Sequence, residues 1–511
     1  RRQECEVVRV LKRAHTQVVG RYEPTSQGGY VVCDEARLGS DVFIAPRYRN
    51  GAKKGDKVVC RILRYASQRK DAQGEITEVL GGAGDVGVDV LAIIRSKKLP
   101  DDFPDPVLRE AAQMPKRVTK EARAARLDLR QEVVVTIDGA DSKDFDDAVS
   151  IRKTAGGWQL GVHIADVSAY VREGSALDKE ALARGNSVYL LDRVLPMLPE
   201  SLSNGICSLN PDVDRLTLSC IMELDAAGQV LRADLAQSVI HSHARLTYDE
   251  VNDLLEKQDV ETARRLSAVA PALQEMQRLA AALYDRRVER GALNLDIPEP
   301  AFRLDETGHC VEVTVRARGT AHKMIEEFML AANETVAAFL DGREIPTIYR
   351  VHEDPSQEKM EDLDLFVRNF NLKIEGVHKG VKPKALQQVL EAVQGQPAEG
   401  ILSRVLLRSL QKARYAPENK GHFGLAAQNY CHFTSPIRRY SDLVVHRCVK
   451  AVLEGRVTGP WLEQMRERVP DWAQQCSERE VVAVEAERAV DDLKMTEYMA
   501  DHVGEAFRGV I

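Results

Sequence analysis

The stretch Asp138-Gly139-Ala140-Asp141-Ser142-Lys143-Asp144-Phe145-Asp146-Asp147 carries five carboxylates within ten residues. It directly follows residues 133–137, an apolar run of the kind that forms β-strands. Carboxylates at this density repel one another and destabilise a fold unless positive charge lies among them. Hard divalent cations such as Mg²⁺ prefer oxygen ligands, usually a few carboxylates completed by substrate phosphate. The stretch therefore indicates a divalent-cation site or, alternatively, a solvated acidic turn.

The spacing of three aspartates is compatible with a shared site. Asp144 and Asp146 are two residues apart, so on an extended segment their side chains point to the same side. Asp138 ends the predicted strand and could approach the same point from the other side. We therefore expect these carboxylates to face one another.

A second motif lies far downstream and contains two adjacent arginines, Arg438 and Arg439. They follow a Ser435-Pro436 turn and precede a helical run. Guanidinium groups can bind phosphate oxygens in a bidentate manner and stabilise charge that builds on phosphorus. Alone, such a pair is more often a surface or salt-bridged feature. Together with the aspartates it indicates hydrolysis of a phosphodiester by a two-metal mechanism.

Length and composition indicate a soluble protein of several domains. The chain has 511 residues, of which 44% are hydrophobic and 29% charged, and no apolar run is long enough to cross a membrane. Its nine cysteines form no CxxC pair and no zinc-type spacing, which predicts reduced thiols and a cytoplasmic location. Residues 1–80 carry a net charge of +6 and the remainder −13, which suits capture of a polyanion on one module and cleavage on another.

The first 85 residues predict a small barrel of the oligonucleotide-binding type. Short β-type runs at 7–10, 17–22, 29–33, 41–44 and 57–63 are separated by turn residues. Lys and Arg are interleaved with the aromatic residues Tyr22, Tyr30, Phe43, Tyr48 and Tyr65. Aromatic rings can stack on bases while the cations follow the phosphates, although we expect about half of these rings to be barrel core.

Beyond the barrel, the sequence predicts both helices and strands. Residues 86–130 are predicted to be a connector, with prolines followed by a charged helical run at 119–130. A strand is predicted at 158–165, and helical periodicity covers 177–184, 248–290, 323–340 and 456–505, most clearly 481–499. The chain begins without methionine and its last residues read as the start of a strand, so we expect an internal piece of a longer protein.

The sequence resembles the ribonuclease II and ribonuclease R family of 3′-to-5′ exoribonucleases, and within it the bacterial ribonuclease R branch. The matching stretches are residues 136–149, 161–168, 188–190, 196–200, 202–209 and 435–440. The resemblance implies an α+β multidomain chain that lacks the family's N-terminal and C-terminal RNA-binding regions. The implied parts are a cold-shock-type barrel at 1–85, a linker at 86–130, the ribonuclease II-type catalytic domain at 131–455, and a helical segment at 456–511 leading into a missing barrel.

The resemblance also implies the site residues. Asp138, Asp144, Asp146 and Asp147 correspond to the family's acidic quartet, which holds magnesium, in a two-metal site, and takes part in catalysis. Arg438 corresponds to the arginine that binds the scissile phosphate.

Four further positions correspond to residues that contact the RNA. Tyr189 matches the aromatic residue that clamps the last base, and Tyr248 and Glu326 match positions that grip the terminal nucleotides and help to choose ribose. Leu295 occupies a stretch in which relatives often carry Phe as the second jaw of the clamp. Leucine can pack on a base but cannot stack on it, so a weaker grip on the RNA end is expected.

The expected function is processive 3′-to-5′ hydrolysis of RNA to nucleoside 5′-monophosphates with Mg²⁺, in RNA turnover and quality control. The expected partner is single-stranded RNA with a free 3′ end. The protein is expected to be a monomer and to have no membrane partner. The competing hypothesis is an RNA-binding regulator or chaperone that keeps the fold without turnover. The intact aspartate quartet and Arg438 favour the enzyme, because a binding protein has no need for crowded carboxylates.

Overall fold

A computed structural model of the protein describes residues 8, 13, 15–35, 41–67, 70–294 and 298–507. Its N-terminal part is a closed five-stranded barrel, which confirms the predicted oligonucleotide-binding type of fold. The strands follow the barrel order β1-β2-β3-β5-β4, with β3 and β5 parallel and the other pairs antiparallel. They are β1 (Gln17–Thr25), β2 (Gly28–Cys33), β3 (Val42–Ile44), β4 (Asp56–Arg64) and β5 (Ala72–Gly82).

The fifth strand of the barrel is not the one that the sequence predicted. The run at 7–10 falls, except for Val8, outside the described residues, whereas β5, in which glycine occupies positions 74, 81 and 82, is not predicted. Gly74 of β5 shows why: an added Cβ there would lie 2.4 Å from Sγ of Cys60 and 2.7 Å from the carbonyl oxygen of Arg61. A glycine is needed where two strands approach so closely. Tyr22 is buried in this barrel, while Tyr30 packs edge-to-face on Phe43.

The predicted connector contains short elements that lead into the next domain. They are α1 (Val88–Ser96), α2 (Asp105–Ala112), α3 (Lys120–Ala124) and β6 (Leu127–Asp128). The helix predicted at 119–130 is wrong beyond Ala124, because the side chain of Arg126 is drawn into the sheet. It lies 2.6 Å from the buried carboxylate of Asp166 and donates to the carbonyl oxygen of Thr217. These tertiary contacts override the local helix propensity.

A seven-stranded sheet forms the centre of the second domain, in the order β14-β7-β8-β9-β12-β13-β6. Its neighbouring strands are antiparallel except for the two edge pairs β14–β7 and β13–β6. The elements of this region are β7 (Val135–Asp138), β8 (Asp147–Lys153), β9 (Gly157–Ala165), α4 (Ala176–Arg184), β10 (Val188–Tyr189), β11 (Val194–Leu195), β12 (Asp214–Asp225), β13 (Val230–His241) and β14 (Ala244–Thr247).

Helices cover this sheet and extend from it. They and the small strands between them are α5 (Tyr248–Leu255), α6 (Val260–Arg265), α7 (Ala270–Arg290), β15 (Pro300–Leu304), β16 (Cys310–Val315), α8 (Thr320–Asp341), β17 (Tyr349–Val351), α9 (Gln357–Val367), α10 (Pro383–Val393), α11 (Glu399–Ser409), β18 (Arg414–Ala416), α12 (Tyr440–Leu453) and α13 (Gly459–Asp501). The helices predicted at 177–184 and 323–340 are confirmed, and that at 456–505 is confirmed over α13. The main apolar core joins the sheet to α7, α8 and α12, and a separate core lies under α9, α10 and α11.

Two observations bear on the environment of the protein. None of the helices in the described part of the chain is long and apolar enough to cross a membrane. The buried residues Cys60, Cys207, Cys220, Cys310, Cys431, Cys448 and Cys476 form no disulfide among the described residues.

Candidate active site

The acidic stretch is the loop that joins β7 to β8. Asp138 ends β7 and Asp147 begins β8, so the carboxylates lie at one end of two adjacent strands. The loop is held from both sides. The Ser208 hydroxyl accepts a hydrogen bond from the Phe145 amide at 3.0 Å, and the Arg245 guanidinium donates to the carbonyl oxygen of Gly139 at 3.1 Å. The backbone that carries the crowded charges is therefore fixed by one neutral and one cationic side chain.

Burial and mutual repulsion dominate the electrostatics of these carboxylates. Burial, together with the charges of Asp147 and Asp144, raises the pKa of Asp138 to about 8. Burial also raises the pKa of Asp147 to about 6, and it raises that of Asp146, which is only 4% exposed. The arginines nearby lower these pKa values but do not offset the burial. The positive charge near these carboxylates is therefore too small to compensate for their burial.

Two buried oxygens of this loop are unsatisfied. Oδ2 of Asp138 and Oδ2 of Asp146 have no hydrogen-bond partner among the described residues, while Oδ1 of Asp146 accepts the Ile437 amide at 2.8 Å. A buried carboxylate oxygen without a partner is costly, and a cation is one way to satisfy it.

The oxygen donors of the loop are of the type that Mg²⁺ prefers. Within the described ranges, no group of three or more His, Cys, Asp or Glu side chains is arranged as a cage that could hold a metal ion. Mg²⁺ seldom needs such a cage, because it usually keeps several waters and binds one or two carboxylates together with substrate phosphate. The unsatisfied oxygens of Asp138 and Asp146 fit a site completed in this way.

The two adjacent arginines have different environments. Nε of Arg438 lies 3.7 Å from Oδ2 of Asp146, and 43% of the Arg438 side chain is exposed. Arg439 instead forms a bidentate ion pair with the fully buried Asp442, at 2.9 and 2.7 Å. The predicted phosphate ligand Arg438 therefore lies beside the aspartates with an accessible guanidinium, whereas Arg439 stabilises the start of α12.

Tyr189 lies on the short strand β10 and also reaches the aspartates. Its hydroxyl donates to Oδ2 of Asp144 at 2.9 Å, and its amide donates to Oε1 of Glu487 on α13 at 3.2 Å. The residue is 39% exposed. Together with Arg438 and His432 it lines a cavity of about 200 Å³. Both Tyr189 and Arg438 are thus accessible at the edge of the acidic loop.

Tyr248 approaches the loop from the far edge of the sheet. The parallel pairing of β14 with β7 sets Thr247 beside Asp138, and Tyr248 is the next residue. Burial raises the pKa of Tyr248, and the charges of Asp147 and Asp138 add to the effect. Its ring stacks on His322, with ring centroids 3.9 Å apart.

Of the last two predicted RNA contacts, one pairs with a residue outside the acidic loop and the other lies outside the described residues. Glu326 is one turn beyond His322 on α8, and its carboxylate pairs with Arg318 at 2.5 Å rather than with the acidic loop. Leu295 lies outside the described residues, so its part in a base clamp stays a prediction.

Sequence reasoning did not single out four residues that shape the site, namely Arg245, Ser208, His322 and Glu487. Ser208 lies within the matched stretch 202–209, so its position in a family block was an available signal. The other three are brought to the site only by the tertiary fold, so no sequence pattern identified them.

Comparison with known proteins identifies the family. A cold shock domain matches residues 30–104, and an RNB domain matches residues 126–455. Ribonuclease R of Thermotoga maritima is 45% identical over 99% of this chain and 72% of its own length. The chain belongs to the ribonuclease R family of exoribonucleases. Ribonuclease R of Escherichia coli is 40% identical over 100% of this chain and 64% of its own length.

A solved structure agrees with this assignment. Ribonuclease R of Mycoplasma genitalium in complex with ribose-methylated single-stranded RNA has a TM-score of 0.91 and 29% identity, covering 98% of this chain and 78% of that chain. This chain spans 64% to 78% of the length of these three members of the ribonuclease R family.

Proposed function

We propose that the chain hydrolyses single-stranded RNA from its free 3′ end, processively, and releases nucleoside 5′-monophosphates with Mg²⁺ in a two-metal site. The observation that carries the proposal is the contact between the buried carboxylate of Asp146 and the accessible guanidinium of Arg438, at 3.7 Å. One group is a hard oxygen donor and the other binds phosphate, so a phosphodiester placed between them would meet both.

Asp138, Asp144, Asp146 and Asp147 would hold the cations. When bound, Mg²⁺ would supply an activated water and stabilise the leaving oxygen. Arg438 would bind the non-bridging oxygens of the scissile phosphate and stabilise the charge that develops there. Burial of the carboxylates keeps the site dry enough for these interactions to be strong. Each of these roles uses a side chain that faces the β7–β8 loop.

Recognition of the RNA end would use the aromatic residues at the rim. The exposed ring of Tyr189 would stack on the last base, Tyr248 and Glu326 would hold the terminal nucleotides and help to select ribose, and Leu295 would pack on the base without stacking. The barrel would hold the RNA upstream of this end, in keeping with its basic and aromatic surface. The related Mycoplasma genitalium protein in complex with single-stranded RNA supports this assignment of substrate.

The test is a time course on one RNA labelled at either end, with Asp146→Asn as the inactive reference. Release of the 3′ label as a mononucleotide from the first time point, while the 5′ label stays on long RNA, would support the direction and the product. The absence of intermediate lengths would support processivity. RNA binding without any mononucleotide release would instead favour the binding protein, and internal fragments would indicate an endonuclease. That the chain is a cytoplasmic monomer acting in RNA turnover and quality control is part of the same proposal.

A further inference from the structure

Tyr189 is held by two hydrogen bonds, one from its backbone amide and one from its side-chain hydroxyl. Its amide donates to Glu487, which ties the strand β10 to the long helix α13. Its hydroxyl donates to Oδ2 of Asp144 at 2.9 Å. Strand β10 has only two residues and pairs with the equally short β11, so it has little rigidity of its own. The two hydrogen bonds therefore fix the ring between α13 and the acidic loop.

The hydroxyl contact limits how the Asp144 carboxylate can turn. Within the part of the chain that the structure describes, no other side chain or amide donates to this carboxylate. The hydrogen bond occupies Oδ2 and leaves Oδ1 for another ligand. Carboxylates that bind metals are generally hydrogen-bonded in this way, and loss of the outer partner typically weakens metal binding about 10- to 100-fold.

We propose that Tyr189 is a positioning residue for the metal ligand Asp144, in addition to meeting the terminal base of the RNA. The inference rests on the proposed function, which assigns Asp144 to a cation. The two roles use separate parts of one side chain: the residue is 39% exposed, so its ring could meet a base while the hydroxyl stays bonded to Asp144. Through this residue, the place where the RNA end is held is connected directly to the place where the cation is held.

Tyr248 provides a comparison within the same site. It follows Thr247, which pairs with Asp138 in the sheet, but the described residues show no hydrogen bond from its hydroxyl to a carboxylate of the loop. The direct bond to a carboxylate of the loop thus distinguishes Tyr189 from the other tyrosine.

The two roles can be separated by substitution. Tyr189→Phe keeps the stacking ring and removes the hydroxyl, whereas Tyr189→Ala removes both. Tyr170→Phe is a matched control, because the Tyr170 hydroxyl is buried without a hydrogen-bond partner among the described residues. Mn²⁺ is a suitable probe, since it prefers the same oxygen ligands and octahedral geometry as Mg²⁺ and is detected by electron paramagnetic resonance.

Two affinities are measured for each variant: that for Mn²⁺ without RNA, and that for a short single-stranded RNA in EDTA, where hydrolysis cannot proceed. We expect Tyr189→Phe to weaken Mn²⁺ binding about 10- to 100-fold and to leave RNA affinity unchanged. Tyr189→Ala should weaken both, and Tyr170→Phe neither.

Equal Mn²⁺ affinity of the parent and Tyr189→Phe would overturn the inference and leave the proposed function untouched. Weaker RNA binding by Tyr189→Phe, with unchanged Mn²⁺ binding, would also overturn it, because the hydroxyl would then serve the RNA. A parent chain without saturable Mn²⁺ binding would overturn the metal assignment itself, and the inference with it.

Discussion

Nε of Arg438 lies 3.7 Å from Oδ2 of Asp146, while the next residue in the chain turns the other way and pairs with Asp442. Two adjacent guanidinium groups of the same chemistry are thus committed to different tasks. The first remains accessible beside the buried carboxylates, and the second neutralises a fully buried charge at the start of α12. Substitutions at the two positions should therefore affect different measured quantities.

Arg438→Lys should lower turnover and leave stability nearly unchanged. A lysine ammonium is a point charge and cannot reproduce a planar guanidinium that binds two phosphate oxygens. The expected loss is about 2.7–4 kcal/mol of transition-state stabilisation, or about 100- to 1,000-fold in kcat, by analogy with the loss of an oxyanion-stabilising donor. Single-turnover kinetics on a labelled RNA measures it. A decrease below tenfold would mean that Arg438 does not contact the scissile phosphate.

Arg439→Met should destabilise the fold instead. It leaves the carboxylate of Asp442 buried without its cation, and breaking a buried ion pair in this way costs about 3–5 kcal/mol. Urea unfolding measures the change. Arg456→Met, which breaks the exposed pair of Arg456 with Glu454, is the matched control and should cost within about 1 kcal/mol. Equal losses for the two variants would contradict a structural role for the Arg439–Asp442 pair.

Asp146→Asn should abolish hydrolysis and preserve RNA binding. Oδ1 of the new side chain can still accept the Ile437 amide, so the local backbone keeps its contact while the ligand charge is lost. Asp141→Asn is the control, because Asp141 is exposed on the same loop and lies outside the quartet. It should keep parental activity. Mononucleotide release by Asp146→Asn at near the parental rate in saturating Mg²⁺ would refute the assignment.

Without metal, the free energy of unfolding should fall as the pH rises. The pKa of Asp138 is about 8 in the folded chain against an ordinary value of 3.8, so the folded state holds more protons between these values. Stability from this group is therefore present at low pH and is lost as the pH increases toward about 8, by at most about 1.4 kcal/mol per pH unit.

Thermal unfolding in EDTA at pH 6 and pH 8 checks this dependence. Asp138→Asn should show a smaller decrease between the two pH values and should be more stable than the parent at pH 8. Added Mg²⁺ should stabilise the parent at pH 8 more than the variant, since a cation binds the deprotonated carboxylates. The same pH dependence in both chains would show that Asp138 is not a perturbed group.

Sequence patterns predict the elements whose signal is local. Regular apolar periodicity marks α4, α8 and α13, and compact β-type runs mark four strands of the barrel. Strand β5 is not predictable in this way, because Gly74 reflects close approach to Cys60 rather than strand preference. The end of α3 at Ala124 is likewise set by distant contacts of Arg126.

The same distinction applies to the site. The aspartates and the paired arginines are visible as motifs, but only the family resemblance, and not the residue pattern itself, indicates which arginine faces the carboxylates. The different orientations of the two arginines depend on the buried Asp442, which forms an ion pair with Arg439. The bond of Tyr189 to Asp144 joins residues 45 positions apart, and its bond to Glu487 joins residues 298 positions apart. Only the folded backbone brings such groups within hydrogen-bonding distance.

The continuous helix α13 has a consequence for changes in chain length. Glu487 holds Tyr189, and seven residues later Lys494 pairs with Asp89 on α1, so the two contacts are about 10 Å apart along the helix axis. Inserting one residue between them would rotate Lys494 by about 100° and move it away from Asp89. The helix has a fixed rise per residue. The number of residues between Glu487 and Lys494 therefore sets the distance between the contact with Tyr189 and the contact with α1. Point substitutions on the solvent face of the helix leave this spacing unchanged. A single insertion or deletion changes the distance between the active site at Tyr189 and helix α1, which packs on the barrel.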